Sequence, residues 1–429
     1  MHLFLNALGA SAGAGLTYLY NVVPHLCALP DVRITIAMQA QLQSQFTSCP
    51  NTSFVTVSEY LSTPRRFWFE QNELPGIISD SGANVLVSAG NFAVRRSPIP
   101  QILLSGNSLY TSPQFLRDLL DRDEYRMWLE TRIKGFFARK SVHWADCTVA
   151  PSRSYADELR RWTGAAVAAV HHGFDRDTFF SERTPVPAEI QNKMHSRDGD
   201  TVRLLFVSHY NYYRNFETLL RALPLLRERL HGRKLRLFLT CKMQKESNPG
   251  SYDPRVAASL IRALRIRDEV IELGAVPYGV LNHVYRACDI YVSPAYTETF
   301  AHPLVEAMAS GLPVVASDLT VHREVCENAA VYFPRFSHNL LAEAVAKVAL
   351  SPTLARSLAV AGQQRSLQFS WKNHVHQLLK LASGLTNRRS LQIQHDYSGA
   401  ERLCFDRQQV NYIPDAERGG GCQNRSHQA

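Results

Sequence analysis

Short, nearly unbroken apolar runs recur along this chain, separated by longer stretches whose apolar residues return every three or four positions. Runs of the first kind are Leu3–Leu8, Val32–Ala37, Phe54–Val57, Asn84–Ser88, Gln101–Leu104 and Cys147–Ala150. A second series starts with RLLFVS at Arg203 and continues through Lys234–Thr240, Val270–Leu273, Ile290–Pro294 and Val314–Ser317. Strands covered on both faces read this way, because neither side of the pleat meets water. Helical spacing marks Leu16–Leu26, Asn215–Arg229, Val256–Ile266, Tyr278–Cys288, Asn339–Leu350, Ser351–Leu367 and Trp371–Leu381. In Asn215–Arg229, the residues Phe216, Leu219, Leu220, Leu223 and Leu226 share one face. Strands alternating with helices predict an α/β fold with mostly parallel sheets covered on both sides. We expect two such units, 1–180 and 201–382, with Trp371–Leu381 closing the second. A polar linker, 181–200, should join them. The polar stretch 383–429 contains Gly419 to Gly421 and no sustained period, and reads as a disordered tail.

Composition narrows the class. With 429 residues, 45% hydrophobic and 20% charged, the chain can bury two or three cores of ordinary size. The net charge of +9 suits an anionic nucleotide or an anionic membrane surface. It does not indicate nucleic acid, since no Lys/Arg run is interleaved with stacking aromatics. The basic, aromatic segment Asp123–Lys140 (DEYRMWLETRIKGFFARK) reads as a helix, either a solvated face over a core or a surface helix on an anionic membrane. Eight scattered cysteines without a C-x-x-C pair suggest free thiols in a reducing compartment. The start MHLFLNALGASAGAG lacks a basic region ahead of its apolar stretch and reads as a first strand and loop. No apolar run approaches the roughly 18 residues of a membrane span. The expectation is a cytoplasmic protein, free or peripheral at the inner membrane face.

The stretch Ile290–Asp318 carries the densest chemistry. It reads as strand, loop, helix, strand, with Pro303 in the first helical turn and Gly311 as the stop. Glu298 falls in the loop and Glu306 in the first helical turns, so a helix N-terminus lies between two carboxylates. Helix N-termini attract phosphate, and carboxylates accept hydrogen bonds from vicinal hydroxyls. The unit therefore suits a phosphate flanked by hydroxyl-rich groups, the description of a sugar nucleotide. At its front end, Leu3–Leu8 is followed by a small-residue loop containing Gly9, Gly13 and Gly15, then a helix, an arrangement that lets backbone approach phosphate. Asp121-Arg122-Asp123 and Asp175-Arg176-Asp177 match D-x-D, but one lies in a helical context and the other in a loop, so neither is read as a metal site.

Ser293, Glu298, Phe300, Pro303, Glu306-Ala307-Met308-Ala309, Gly311, Pro313-Val314-Val315 and Ser317 together resemble the E-x7-E signature of the family 4 (group 1) glycosyltransferases. The chain departs from it at Thr299 and Ala301, where glycines are usual. His172-Gly173-Phe174-Asp175 resembles the family's interdomain hinge, and Phe369-Ser370-Trp371 its F-S-W. The resemblance implies the GT-B fold, two Rossmann-like domains facing across a cleft. It further implies retaining transfer of a hexose-type sugar from a nucleotide-sugar donor to a glycan, lipid-linked or small-molecule acceptor, with no cofactor and no essential metal.

Carried over, Glu306 would bind the nucleotide ribose and Glu298 the donor sugar. Arg214 would be the main phosphate cation, with His209 standing where an arginine is usual. Backbone N–H groups of Phe300, Ala301, His302 and Leu304 would help hold the diphosphate. Gly13 and Gly15 would approach it from the first domain, and Asn107 would meet the sugar. The resemblance leaves open front-face attack or a carboxylate nucleophile. A catalytically silent nucleotide-binding protein and a phosphorylase- or epimerase-like enzyme stay as alternatives. An NAD(P) oxidoreductase ranks last, because Met38-Gln39-Ala40-Gln41 offers no acid after the second strand.

Overall fold

The computed structural model describes residues 1–10, 13–57, 62–181, 184–194, 200–244 and 252–387. The predicted tail, apart from its first few residues, lies outside this set. The described residues form two parallel sheets. The first contains β1 (His2–Asn6), β2 (Arg33–Gln39), β3 (Thr52–Val57), β4 (Val85–Ala89), β5 (Gln101–Leu104), β6 (Cys147–Ala150) and β7 (Val167–Ala169), in the order β3-β2-β1-β4-β5-β6-β7. The second contains β8 (Thr201–Phe206), β9 (Lys234–Leu239), β10 (Val270–Glu272), β11 (Ile290–Ser293), β12 (Val314–Ser317) and β13 (Ala330–Phe333), in the order β10-β9-β8-β11-β12-β13. Both orders reverse once, between β1 and β4 and between β8 and β11. At such a reversal the loops leaving adjacent strands diverge and open a crevice beyond the strand C-termini.

The two-residue pleat sorts the apolar side chains between two layers. In the second sheet Leu204, Phe206, Leu237, Leu239, Ile290, Val292 and Val315 face one core. Leu205, Phe238, Tyr291, Val314 and Ala316 face the other. The short strands β7 and β13 lie beyond the predicted set. Both are sheet edges and only partly buried, so they lack the continuous apolar run that marks a covered strand.

Two expectations about domain boundaries are corrected. The helix spanning 371–387 does not close the second unit. Its Trp371, Val375, Leu378 and Ala382 pack with Leu3, Leu5, Leu19 and Val22 on the first sheet. The helical period was right, but periodicity does not say which core an apolar stripe meets. The predicted linker is also structured in part. Ala188–Met194 is a helix whose Ile190 and Met194 enter the second unit's core. In the opposite direction, Phe115 and Leu119 of the first unit's helix Pro113–Asp121 pack with Tyr210, Tyr212 and Phe216 of the second. No single described helix is long and apolar enough to cross a membrane.

Candidate active site

Arg214 and Glu298 meet at the second reversal point. Residues Tyr212–Arg214 form a single 3₁₀ turn after β8, ended by Asn215 in the left-handed conformation (φ 57°). The Asn215 Nδ2 donates to the Pro294 carbonyl at 3.0 Å, and its Oδ1 accepts from Thr218 Oγ1 at 2.8 Å. The Tyr296 N–H donates to the Tyr213 carbonyl at 3.0 Å. These bonds stitch the loop after β8 to the loop after β11. In consequence Arg214 Nη1 donates to Glu298 Oε2 in an ion pair, while Glu298 Oε1 accepts from the Thr299 N–H at 3.2 Å. Burial works against the guanidinium charge, but Glu298, with Tyr213 and Tyr291 nearby, holds the pKa above its usual value. The buried Arg214 Nε has no acceptor among the described residues. His209, on the same loop, is exposed. Partial desolvation and the Arg214 charge lower its pKa.

From Glu298 the chain turns into the helix His302–Ala309 through Ala301, whose φ of 66° lies in the left-handed region. No side chain caps this helix. Pro303 occupies its first turn, and Gly311 (φ 74°) follows its end. Phe300 and Leu304 place their side chains in the core, so only their backbone is offered to a ligand, and the Leu304 N–H already donates to the Ala301 carbonyl at 3.0 Å. Glu306 is buried, and the Tyr285 hydroxyl donates to its Oε2 at 2.8 Å. Burial pushes the Glu306 carboxyl up to about 7, a rise the Tyr285 bond only partly offsets. Tyr285 is a residue that sequence reasoning missed, because nothing local to the helix Tyr278–Arg286 links it to Glu306.

A cavity of about 340 Å³ lies at the first reversal point. Gly9, Ala10 and Gly15 line it after β1, Gly90 and Asn91 after β4, Ser105 and Gly106 after β5. A Cβ on Gly15 would lie 3.0 Å from the Ala10 Cα, so a larger residue there would push the loop backbone by a few tenths of an ångström. Gly13 begins the adjoining helix, Gly13–Cys27. Asn107 does not line the cavity; its Oδ1 accepts from the Leu109 N–H at 3.1 Å, closing a local turn. Arg66, Tyr110 and Lys134 also line the cavity, and sequence reasoning did not single them out.

The two reversal points are joined by polar contacts between the units. Ser152, the N-cap of the helix Arg153–Thr163, also donates to the Thr299 carbonyl at 2.7 Å. The Glu324 carboxylate accepts from the Arg153 and Ser154 N–H groups at 2.7 and 2.6 Å and pairs with His171 Nε2 at 2.6 Å. Burial alone would raise the Glu324 pKa, but these donors hold it at about 2. His172, which lines the cavity, shares a hydrogen bond with His302 of the E-x7-E loop (Nδ1 to Nε2, 3.1 Å). Burial lowers His302 to about 4, opposed by Glu298 and reinforced by His374. His374 in turn bonds Tyr18 Oη at 2.9 Å. Glu298, Arg214, Phe300, Ala301 and His302 thus lie on the second unit's side of the His172–His302 contact, and Gly15 lies on the first unit's side with the cavity that His172 lines. Among the described residues no three His, Cys, Asp or Glu side chains are grouped to hold a metal ion.

Two parallel sheets with paired reversal points facing one another define the GT-B class, and solved structures of that kind superpose on the chain. Sucrose-phosphate synthase from Thermosynechococcus elongatus matches with a TM-score of 0.68 at 18% identity, covering 90% of this chain and 100% of that one. Anabaena Alr3699/HepE, solved in complex with UDP-glucose, matches with a TM-score of 0.65 at 15% identity, covering 90% and 100%. Residues 188–365 match the family model "Glycosyl transferases group 1". The D-inositol 3-phosphate glycosyltransferase of Thermobifida fusca (strain YX) is 28% identical over 259 residues, 58% of this chain and 57% of that protein. The protein of the same name from Actinosynnema mirum is 29% identical over 260 residues, 58% and 60%. The chain therefore matches somewhat over half the length of these relatives.

Proposed function

We propose that the chain is a retaining, metal-independent glycosyltransferase that moves a hexose-type sugar from a nucleotide-sugar donor to an acceptor held in the first unit's cavity. The observation that carries this reading is the Arg214–Glu298 pair, standing with Glu306 around an uncapped helix N-terminus. Glu306 accepts the ribose hydroxyls, and Glu298 the sugar hydroxyls. Arg214, its buried Nε–H and the backbone around Ala301 and His302 stabilise the diphosphate as it gains charge in leaving. The family match and the UDP-glucose bound to the Anabaena structure support a donor of this class. The acceptor class is a glycan, a lipid-linked sugar or a small polar molecule.

Among the described residues lining the cavity there is no aspartate or glutamate, and burial leaves its His172 a weak base. This favours front-face transfer. The bond from the anomeric carbon to the diphosphate oxygen breaks, the acceptor oxygen bonds to the same face, and its proton passes to the departing phosphate.

The test is release of nucleoside diphosphate from UDP-, GDP-, ADP- and dTDP-hexoses, with and without EDTA. One donor class should turn over, insensitive to EDTA. Arg214→Ala should slow turnover by about 100-fold or more, as loss of a leaving-group donor does. Saturable binding without turnover of any donor or acceptor would instead place the chain among silent nucleotide-binding proteins.

A further inference from the structure

The helix Tyr125–Trp144 turns two different faces to its surroundings. Thr131, Gly135, Ala138, Ser141 and Val142 are buried against the first unit. On the opposite side Tyr125, Leu129, Ile133 and Phe136 follow one another at helical spacing, and each is 50–61% exposed. Single exposed hydrophobics are ordinary, but a continuous stripe of four large ones marks an interaction surface. Cations flank it: Arg126, Arg132, Arg139 and Lys140 are exposed on this helix, against the single exposed carboxylate of Glu130. Lys140 also lies over the Phe136 ring, 5.8 Å from its centroid.

We propose that this helix seats the protein on an anionic lipid surface. The stripe sinks below the headgroups, while the flanking cations stay at the level of the lipid phosphates. Charge argues against the other occupants. A second copy packed face to face would oppose cations with cations, on a chain that already carries +9. Arg126 is paired with Glu130 at 3.2 Å, but Arg132, Arg139 and Lys140 leave the exposed face net positive, suited to a plane of negative charge. Docking does not depend on the catalytic reading above. If that reading holds, it gains a consequence. Lys134 of the same helix lines the cavity, so the lipid surface would lie about one helix diameter, roughly 10 Å, from the acceptor site. The acceptor would then be a lipid headgroup or a lipid-linked sugar.

Full-length protein is mixed with vesicles of phosphatidylcholine, alone or with phosphatidylglycerol, and its partition is measured by flotation at low and high salt. Binding to the mixed vesicles should exceed binding to phosphatidylcholine by at least about tenfold and weaken with salt. The double variant Leu129→Glu/Phe136→Glu and the triple variant Arg132→Gln/Arg139→Gln/Lys140→Gln should each lose at least about tenfold in partition. Their melting temperatures and donor binding should stay at the wild-type level, which separates lost docking from lost folding. Unchanged partition of either variant, or no binding to mixed vesicles at low salt, overturns the proposal. So does a dimer, seen by light scattering, that dissociates in the double variant, since the stripe would then belong to a second copy.

Discussion

Ala301 holds a backbone conformation that favours glycine. The left-handed region costs an L-residue roughly 1–2 kcal/mol, and glycine returns part of any gain as extra freedom in the unfolded chain. Ala301→Gly should therefore stabilise the protein by about 0.5–1 kcal/mol in urea unfolding, whereas Ala301→Val should destabilise it by more than about 1 kcal/mol. Equal stability of the two variants would show that the backbone at 301 carries no such strain. Glu306 makes a second prediction. Its burial raises the carboxyl to about 7, and hydroxyl donors prefer the ionised form. Donor affinity should accordingly rise as pH increases through about 7 and fall below it, and titration calorimetry at several pH values checks the sign. Glu306→Gln should bind donor weakly and flatten the profile. Glu298 and Glu306 were legible in the sequence because proline and glycine punctuate the helix between them. Tyr285 was not, since its bond to Glu306 is made only when two helices pack.

At the level of elements, the hinge and the last helix cross backbone on backbone. A Cβ built on Gly173 would lie 2.0 Å from the Trp371 backbone nitrogen and 2.4 Å from the Ser370 carbonyl carbon. Neither atom is the end of a flexible side chain, so the elements must separate. Gly173→Ala should cost more than about 2 kcal/mol by thermal or urea melting. Gly76→Ala, with nothing within 4 Å of the added carbon, should leave stability unchanged or slightly raised. Similar losses in both variants would rule out the steric account. The sequence marks His172-Gly173 as a hinge by its resemblance, but not the reason for its glycine, which lies almost two hundred residues downstream. The edge strands β7 and β13 escaped sequence reading for the converse reason: half-exposed strands need no apolar run.

Across the whole molecule, each unit lends a helix to the other. The helix 371–387 covers the first sheet, and Pro113–Asp121 packs into the second core. Glu324, Ser152 and the His172–His302 pair add polar bonds between the units. A chain ending at Ser370 should therefore lose protection in the first unit, where Leu3, Leu5, Leu19 and Val22 are uncovered. Native-state hydrogen exchange should show β1 and β2 opening first, while β8, β11 and β12 keep their protection. Loss confined to β8–β13 would return the last helix to the second unit, where its periodicity alone had placed it.

By itself the sequence determined the α/β class, most of the strands and the E-x7-E loop, because each depends on local pattern: continuous burial, helical period, and proline and glycine punctuation. The tertiary structure alone decided which core each terminal helix covers, which side chains face the cavity, and that Arg214 reaches Glu298. Those outcomes depend on which strand ends diverge and which surfaces meet. Hydrophobic burial is non-directional and specifies neither.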